Sequence, residues 1–446
     1  MNQADPVPTQ GTKESAADKP ADKRAIARIW IYIVPFVFVL YFFNTMDRSN
    51  LGFAALRMRE NIQMTPVDFG NVVSAFFISY LLFQIPSNMI ISRLGARRWL
   101  GVIVIGWSLA TLLMFVVTTV SEIMWARIAL GVFEAGFFPG VIYYLSLWFP
   151  GSERAKVTAW FMMAAAASAM IAGPVSGWIV QNFNFLGHAG WRWLFVIEGV
   201  PSIFLGILAF FVLSDSPRSA RWLKHDESEW LTRVLEAERA QAAALGKSRF
   251  RDVITNPVLW KLGVIYMCVQ GAAQTGPLWF PSILKAYNFG VSDTTIGFIM
   301  ALPFVCALVA MPLWGYSSDR TGERKWHTVI AMGVAALSFL MLGMLPGLAL
   351  KLLALAVYGI GAYSYYGTYW AMPALMLSPG SLAVSVAFIN SCSSLGGYIA
   401  SKILGYVEQF YGVTGVLIGM AVMSLVSVGV LLTMRVPRER YRAARA

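Results

Sequence analysis

The sequence predicts an all-α membrane protein whose twelve transmembrane helices form two six-helix pseudo-repeats. The 446 residues are 57% hydrophobic and only 13% charged, and the mean hydropathy is +0.62, far from the values of soluble domains. The chain also divides into apolar runs long enough to cross the hydrocarbon core, which takes about 20 residues. A short basic motif recurs at matching places in the two halves.

Twelve apolar runs are the candidate membrane spans. Because their number is even, both ends of the chain are predicted on the same side of the membrane. The runs lie at residues 29–56, 68–92, 99–120, 122–149, 157–181, 193–213, 258–287, 294–317, 327–348, 350–377, 381–407 and 412–434.

The net charge of +12 reflects topology. Lys and Arg accumulate on the cytoplasmic side of membrane proteins, so the basic segments predict an inner cell membrane protein with both termini in the cytoplasm. The basic charge does not favour a nucleic-acid partner, because a chain with twelve spans places all these segments on one side of the membrane. The basic segments are the tail before Ile29, 93–98, 154–156, 215–257, 320–325 and the tail from Arg435.

The runs and charges divide the chain into five parts. Residues 1–28 lack an apolar core and a cleavage-like site, which indicates a disordered cytoplasmic tail and not a signal peptide. The 215–257 linker carries Trp222, Trp230 and Leu235 amid charge, which favours an amphipathic helix along the cytoplasmic surface. The remaining parts are an N-terminal half (29–214), a C-terminal half (258–435) and a tail (436–446).

The repeated motif is SRLGARRW at 92–99 and DRTGERKW at 319–326. Arg, Gly, Arg and Trp stand in register, and each copy follows the second apolar run of its half. Parallel repeats of this kind are typical of secondary transporters, in which the substrate site lies near the midplane between the halves.

Longer motifs resemble a known family. GYSSDRTGERK at 315–325 resembles the cytoplasmic loop signature of the major facilitator superfamily, and the first copy departs from it at Ser92. MDRSNLG, RIALGVFEAGFFPG (127–140) and GWRWLFVIEGVP (190–201) resemble its anion:cation symporter family of organic-anion permeases. The resemblance implies the superfamily fold and loops that latch neighbouring helix ends. The implied gating residues are Arg93, Gly95, Arg97, Gly315, Asp319, Arg320, Gly322 and Arg324.

Four ionisable residues stand at membrane depth in spans one and four: Asp47, Arg48, Arg127 and Glu134. Such groups cost at least about 2.5 kcal/mol and are kept mainly where they face a cavity or the bundle interior. Arg127 and Glu134 are seven residues apart and share a helix face, with Gly131 between them as a place for close helix approach. The charges balance, so we expect the four to be buried together.

We interpret these residues as the coupling machinery. Arg48 is the expected anchor for a substrate carboxylate. Asp47 and Glu134 are the expected proton carriers, and Arg127 is expected to switch between them. A static electrostatic staple is the alternative. Glu198, in span six, is interpreted as structural with Arg192 as its partner.

The second half offers polar and aromatic groups instead of charges. Aromatic stripes in helices are usually packing, but the resemblance implies that spans one, four, seven and ten line the cavity. Tyr80, in span two, fits the cavity and helix packing equally well. The remaining candidate substrate-binding residues are Gln270, Gln274, Tyr366, Trp370 and Asn390.

The sequence favours a proton-coupled symporter that imports a small organic carboxylate by alternating access. A channel would need rings of filter residues, and no H-E-x-x-H or G-x-S-x-G motif supports an enzyme. A proton-driven efflux antiporter is the alternative. The expected partners are the organic anion, protons and the lipid bilayer, with no cofactor, and we expect a monomer.

The substrate preference rests on the fifth and tenth spans. Residues 160–173 contain Ser168 as their only hydroxyl, whereas the tenth span is rich in tyrosine. An unpaired buried hydroxyl costs about 1–3 kcal/mol, so this wall favours an aromatic or small aliphatic carboxylate over a sugar acid. Gln270, Gln274 and Asn390 leave a polyol possible.

Neither the cysteines nor the histidines form a metal-site or disulfide pattern. We therefore expect the thiols to be structural and no metal to bind. The cysteines are Cys268, Cys306 and Cys392, and the histidines are His188, His225 and His327.

Overall fold

The computed structural model describes residues 19–244 and 254–438, and this part of the chain contains thirteen α-helices and no strand. We number them in chain order. They are α1 (Lys19–Asn61), α2 (Pro66–Leu94), α3 (Ala96–Leu113), α4 (Val120–Glu134), α5 (Phe137–Trp148), α6 (Gly151–Asn182), α7 (Gly190–Val212), α8 (His225–Ala244), α9 (Pro257–Ala286), α10 (Asp293–Thr321), α11 (Lys325–Met344), α12 (Leu348–Met376) and α13 (Leu382–Leu432).

The helices supply twelve crossings. Within the described residues, ten helical segments are long and apolar enough to span a membrane, and α4 with α5 counts as one of them. The last segment, in α13, contains two crossings because Gly412, at φ +65°, breaks the helix. The more polar α9, with 30 residues, supplies the remaining crossing. The chain is a multi-pass membrane protein, as the sequence predicts.

One predicted boundary differs from the structure. The predicted disordered tail reached residue 28, but α1 already begins at Lys19, so residues 19–28 are helical. Ala25 is fully buried, and Arg24 forms an ion pair with Asp226 at 3.0 Å. These contacts order a segment whose composition alone is typical of disorder. Residues 1–18 and 439–446 of the predicted tails lie outside the described residues.

The linker helix α8 packs on α1 and α5, both in the N-terminal half. Its apolar face is buried through Trp230, Leu231 and Leu235. On its polar face, Glu238 binds Arg154 at 2.7 Å. The main contacts of this predicted amphipathic helix are therefore with the N-terminal half. Residues 245–253 of the linker lie outside the described residues.

The two copies of the repeated motif form similar turns. Gly95 between α2 and α3 and Gly322 after α10 both have positive φ, at +86° and +64°, a conformation that favours glycine. We call the end of the bundle that carries these turns the inner end, and the opposite end the outer end.

The halves meet from the midplane to the outer end, where glycines allow backbones to touch. A Cβ atom at Gly70 would lie 2.5 Å from the carbonyl oxygen of Ser401, and one at Gly177 would lie 2.6 Å from that of Asp293. Arg57 also pairs with Asp293 at 2.6 Å. Small residues permit this close approach of helices, so the structure is closed at its outer end.

Candidate functional site

The central polar contact of the N-terminal half joins α1 to α4. Arg48 Nε donates to Glu134 Oε1 in an ion pair. The Glu134 side chain is fully buried, whereas 34% of the Arg48 side chain is exposed. Glu134 is the last residue of α4, at the break before α5. Arg48 is therefore the member of the pair that an approaching anion would meet first.

An aromatic wall from α2 lies beside both predicted arginines. The Cζ atoms of Arg48 and Arg127 lie 5.6 Å and 4.9 Å from the centre of the Phe76 ring, and Arg48 lies 4.9 Å from that of Tyr80. These are cation–π distances. Arg127 is 2% exposed, its Nε has no hydrogen-bond partner, and it forms no ion pair with any carboxylate in the described ranges.

Gly131 allows α2, which carries this aromatic wall, to pack closely on α4, as predicted. A Cβ atom there would lie 2.6 Å from the carbonyl oxygen of Phe76 and 3.1 Å from the amide nitrogen of Tyr80. Only glycine leaves room for α2 to pack this closely on α4. The contact brings Tyr80 into the cavity wall beside Arg48.

Asp47 does not join this cluster as a fourth partner. Successive helical residues point about 100° apart, so Asp47 faces α3 and α7 while Arg48 faces the cavity. Trp107 and Ser202 are its polar neighbours, and Glu198 and Glu134 are its charged ones. Asp47 is 1% exposed, and neither carboxylate oxygen has a hydrogen-bond partner. Asp47 is therefore buried near Glu134 and Arg127, as expected, but it forms no ion pair with a described residue.

The predicted pairing of Glu198 with Arg192 is wrong. Arg192 donates to the carbonyl oxygen of Phe115 at 2.5 Å and stacks 4.4 Å from the Trp191 ring centre. Glu198 instead accepts a hydrogen bond from Ser176 Oγ at 2.7 Å. Arg192 lies at the start of α7, six residues before Glu198, so the two side chains point about 120° apart around the helix.

Gln270 organises the polar side chains of the C-terminal half. Tyr365 and Tyr366 of α12 both donate to Gln270 Oε1 at 2.8 Å. Gln270 Nε2 donates to Tyr266 Oη at 3.1 Å, and Trp370 Nε1 donates to the same oxygen at 3.3 Å. The structure thus brings three predicted residues, Gln270, Tyr366 and Trp370, into one network. Tyr266 was missed, although it lies one turn before Gln270.

The other two polar candidates lie near α13. Gln274 Nε2 donates to Ser393 Oγ at 3.0 Å, one turn beyond Gln270 on α9. Asn390, one turn before Ser393 on α13, is half-buried. Both therefore lie to one side of the tyrosine network, where α9 packs on α13.

Tyr41 connects the two halves of the site and was also missed. Its ring stacks on Phe161 with a centroid distance of 4.4 Å. Arg48, Tyr80 and Tyr366 are among the ionisable groups around its hydroxyl, so groups from both halves converge there. The signal was available, because Tyr41 precedes Arg48 by seven residues and shares its helix face.

The predicted gating residues all lie at the inner end. In the first copy, the Arg97 amide donates to Asp215 at 2.9 Å and Arg97 Nε donates to the Phe210 carbonyl at 2.5 Å. In the second copy, Arg324 binds Asp319. Gly95 and Gly322 form the turns, Gly315 lies one and a half turns before the end of α10, and Arg93 and Arg320 are exposed.

Each turn is tied to the last span of its own half. Arg97 reaches α7, as described above, and Lys325 Nζ donates to the carbonyl oxygens of Leu432 and Met434 at 3.0 Å and 2.8 Å. The implied latching of neighbouring helix ends stays a prediction, and these contacts are the ones that would carry it.

Ion pairs between the halves at the outer end were not predicted. Asp293 lies between Arg57, at 2.6 Å, and Lys285, at 3.8 Å. Arg59 pairs with Glu408 at 2.7 Å. These charges stand near helix ends, where a sequence pattern does not distinguish a surface residue from an inter-half contact.

Metal binding finds no support among the described residues, where no group of three or more His, Cys, Asp and Glu side chains lies together. The three cysteines are free and half-buried. The site is therefore built from an arginine–carboxylate pair, a buried acid cluster and an aromatic wall.

Comparison with known proteins agrees with this fold. The chain is 38% identical to "Putative tartrate transporter" of Agrobacterium vitis over 413 residues, which cover 91% of this chain and 95% of that protein. It is 30% identical to "Quinolone resistance transporter" of Acinetobacter baumannii, with 88% and 90% covered.

The solved structures include a similar fold. A bacterial homolog of the human lysosomal transporter Spinster, in an inward-facing and occupied conformation, matches with a TM-score of 0.72 and 17% identity. The match covers 90% of this chain and 94% of the Spinster homolog. The sequence model of the Major Facilitator Superfamily matches residues 37–288 and 278–446. The chain therefore belongs to the Major Facilitator Superfamily, which is a family of transporters and not of enzymes.

Proposed function

We propose that this protein is a proton-coupled symporter that imports a small organic carboxylate by alternating access. The observation that carries the proposal is the Arg48–Glu134 pair, whose arginine is exposed to the cavity while its carboxylate is buried. A relative named as a tartrate transporter supports an organic acid as the substrate class.

The geometry suggests how proton and anion binding are linked. Arg48 binds Glu134 in the structure, so a substrate carboxylate must compete with Glu134 for the same guanidinium. Protonation of Glu134 removes that competitor, because a neutral carboxyl group no longer pairs with Arg48. Substrate is then held by a charge-assisted, bidentate contact. In this mechanism the proton and the anion bind together.

Asp47 is the second proposed proton carrier, from a different position. It lies behind Arg48, between α1 and α7, and its charge acts on the cavity through α1 and through Arg127, for which it is a charged neighbour. Arg127 keeps its proposed role as the cation that responds to both acids.

The cavity wall favours a flat substrate. Tyr80 lies beside Arg48, Tyr41 shares the Arg48 face of α1, and Tyr366 and Trp370 belong to the Gln270 network of the other half. The oxygen of Gln270 is already bonded by two tyrosines, which leaves fewer acceptors for a polyol. We therefore prefer an aromatic or small aliphatic carboxylate, and tartrate is the comparison ligand.

Proteoliposomes with an imposed pH gradient test the coupling. Asp47→Asn and Glu134→Gln are expected to abolish uphill uptake and to reduce counterflow exchange less. A thermal-stability screen with tartrate, sugar acids and aromatic acids, at acidic and neutral pH, identifies the substrate first. Normal accumulation by both variants would exclude their coupling role, and stabilisation only by sugar acids would reverse the substrate preference.

A proton-driven efflux antiporter is the second candidate. The 30% identity to a quinolone resistance transporter favours it. The direction of the gradient separates the two functions, because a symporter accumulates substrate on the alkaline side of the membrane and an antiporter on the acidic side. Stabilisation only by lipophilic cations would also favour the antiporter.

A further inference from the structure

A second arginine of α1 forms a largely buried ion pair between the two halves at the outer end. Arg59 Nη1 lies 2.7 Å from Glu408 Oε1, and the two side chains are 16% and 9% exposed. Glu408 belongs to α13, one turn before the break at Gly412. The pair therefore joins an arginine of the N-terminal half to a carboxylate of the C-terminal half.

The other contacts of the pair divide between the halves. Trp279 of α9 donates from Nε1 to Glu408 Oε2 at 2.9 Å, and both residues belong to the C-terminal half. The Arg59 Cζ atom lies 5.3 Å from the centre of the Phe69 ring, a cation–π distance, and both residues belong to the N-terminal half. Separation of the halves at the outer end would break the ion pair, whereas Glu408 would keep its donor and Arg59 its ring.

This arrangement repeats the one at the proposed substrate anchor. Arg48 also belongs to α1, lies 5.6 Å from the ring centre of Phe76 of α2 and pairs with a glutamate. Arg59 follows Arg48 by eleven residues, and Phe69 precedes Phe76 by seven. Both spacings return to the same helix face within about 20°. The difference is that the glutamate of Arg48 lies in the same half, whereas that of Arg59 comes from the other half.

The face of α1 that carries both arginines also forms the closure between them. Gly52 lies between Arg48 and Arg59 on this face, and a Cβ atom there would lie 2.8 Å from the carbonyl oxygen of Pro277. Pro277 lies in α9, so the backbones of the two halves touch at this depth. Arg48 is on the cavity side of the closure and Arg59 on its outer side. Opening of this contact would connect the two arginines along one helix face.

We propose that Arg59 is a second carboxylate-binding residue, which an organic anion entering from the outer end contacts before Arg48. In the closed structure, Glu408 occupies the guanidinium in place of the substrate carboxylate. The planar fork of an arginine matches a carboxylate, and the atoms that pair with Glu408 are not free to bind substrate. The outer end therefore closes after the anion has left Arg59. The proposal rests on the carboxylate transport proposed above.

The competing explanation is that the ion pair only fastens the outer end. Arg59→Gln and Glu408→Gln both break the pair, so loss of a fastening would change the affinity for substrate at the outer end in the same direction in both variants. If Arg59 binds substrate, the two changes act in opposite directions. One removes the binding group, and the other removes its competitor.

Exchange transport in oriented proteoliposomes, without a pH gradient, measures this difference. The probe is whichever of tartrate, gluconate and benzoate stabilises the purified full-length protein most, and its KM is measured from the outer end. In Arg59→Gln this KM should rise about tenfold, the loss of one charge-assisted contact. In Glu408→Gln it should fall, and the glutamine keeps an acceptor for Trp279.

Two further variants guard against loss of folding and against a general loosening of the outer end. Arg59→Lys keeps the charge but not the fork, so it should raise the KM less than Arg59→Gln, and it replaces that variant if the glutamine form does not fold. Arg57→Gln breaks the other inter-half pair, with Asp293, on the opposite side of α1. It is the matched control and should lower the KM, as Glu408→Gln does.

The outcomes separate this inference from the proposed function. A KM at the outer end that moves in the same direction in Arg59→Gln and Glu408→Gln, or stays unchanged in either, would overturn the outer site while carboxylate transport stands. Opposite shifts in a protein that moves no protons with the probe would support the outer site and exclude proton coupling. If none of the three probes stabilises the protein or exchanges, the carboxylate function and the outer site both fail.

Discussion

The two halves of the protein have related helices but opposite chemistry at their centres. The N-terminal half buries three acids and two arginines, whereas the facing part of the C-terminal half presents Gln270 and a set of tyrosines. The Arg48–Glu134 ion pair lies wholly within the N-terminal half. In the proposed alternating access the halves move against each other, so a charge pair inside one half would survive the movement and a pair between halves would break.

The inter-half pairs at the outer end illustrate the second case. Arg57 binds Asp293 from the other half, and 49% of the Arg57 side chain is exposed. The Asp293 side chain is only 4% exposed, and those of Arg59 and Glu408 are 16% and 9% exposed, so opening of the outer end must separate largely buried charges. We infer that the charged residues of the N-terminal half serve coupling, whereas the polar and aromatic residues of the C-terminal half set the shape of the site and its selectivity. Four predictions test this division.

The largest effect is expected at the anchor. Arg48→Lys keeps the charge but loses the planar fork that binds a carboxylate with two hydrogen bonds. Such bonds to charged groups are worth about 1.5–3 kcal/mol, so affinity should fall by about tenfold to a hundredfold. Ligand-induced thermal stabilisation measures it. Arg154→Lys, outside the cavity, is the matched control, and unchanged affinity in Arg48→Lys would exclude the anchor role.

The next effect belongs to the C-terminal half. Gln270→Leu leaves the hydroxyls of Tyr365 and Tyr366 without their acceptor, and an unsatisfied buried group costs about 1–3 kcal/mol. The variant should unfold at a lower temperature and alter substrate preference, but should keep the proton-to-substrate ratio of the wild type. A changed ratio would show that coupling is not confined to the charged half.

A smaller effect is expected at the first copy of the repeated turn. Arg97→Ala removes the bond from α3 to the Phe210 carbonyl on α7, worth about 1 kcal/mol. Thermal unfolding should occur at a slightly lower temperature. Arg98→Ala, at the exposed neighbouring position, should have no effect, and equal losses from both changes would remove the role of this contact.

The smallest effect is a pH dependence of stability at the second copy of the repeated turn. Partial burial opposes ionisation of Glu323, but the hydrogen bond and charge of Arg438 and the backbone N–H groups of Trp326 and Lys325 lower its pKa below 4.5. A lowered pKa in the folded state gives stability above the ordinary pKa that is lost as pH falls through the lowered value.

This contribution should stay below about 1 kcal/mol, because the side chain of Arg438 is 75% exposed. The protection factor of the Trp326 amide, which compares its hydrogen-exchange rate with the intrinsic rate at the same pH, should therefore fall at acidic pH in the wild type. Glu323→Gln should remove that dependence, and a pH response that persists in Glu323→Gln would assign it to another group.

The sequence predicted most of the fold and part of the site. Long apolar runs and a repeated turn determine the helices and the pairing of halves, because the bilayer requires hydrogen-bonded helices of a given length. Periodicity also placed Arg127, Gly131 and Glu134 on one face of α4. The same periodicity could have identified Tyr41 and Tyr266, since each lies on the same helix face as a predicted site residue.

The sequence by itself determined the membrane spans, their repeat and the presence of buried charges, since each follows from local composition and helical period. Only the tertiary structure decided which charges meet. Asp47 and Arg48 are neighbours in sequence but face different helices, and Arg192 and Glu198 share a helix without touching. Partners depend on how α1, α3, α4 and α7 rotate and pack, and that packing is set by long-range contacts such as Gly131 against Phe76, which no local pattern records.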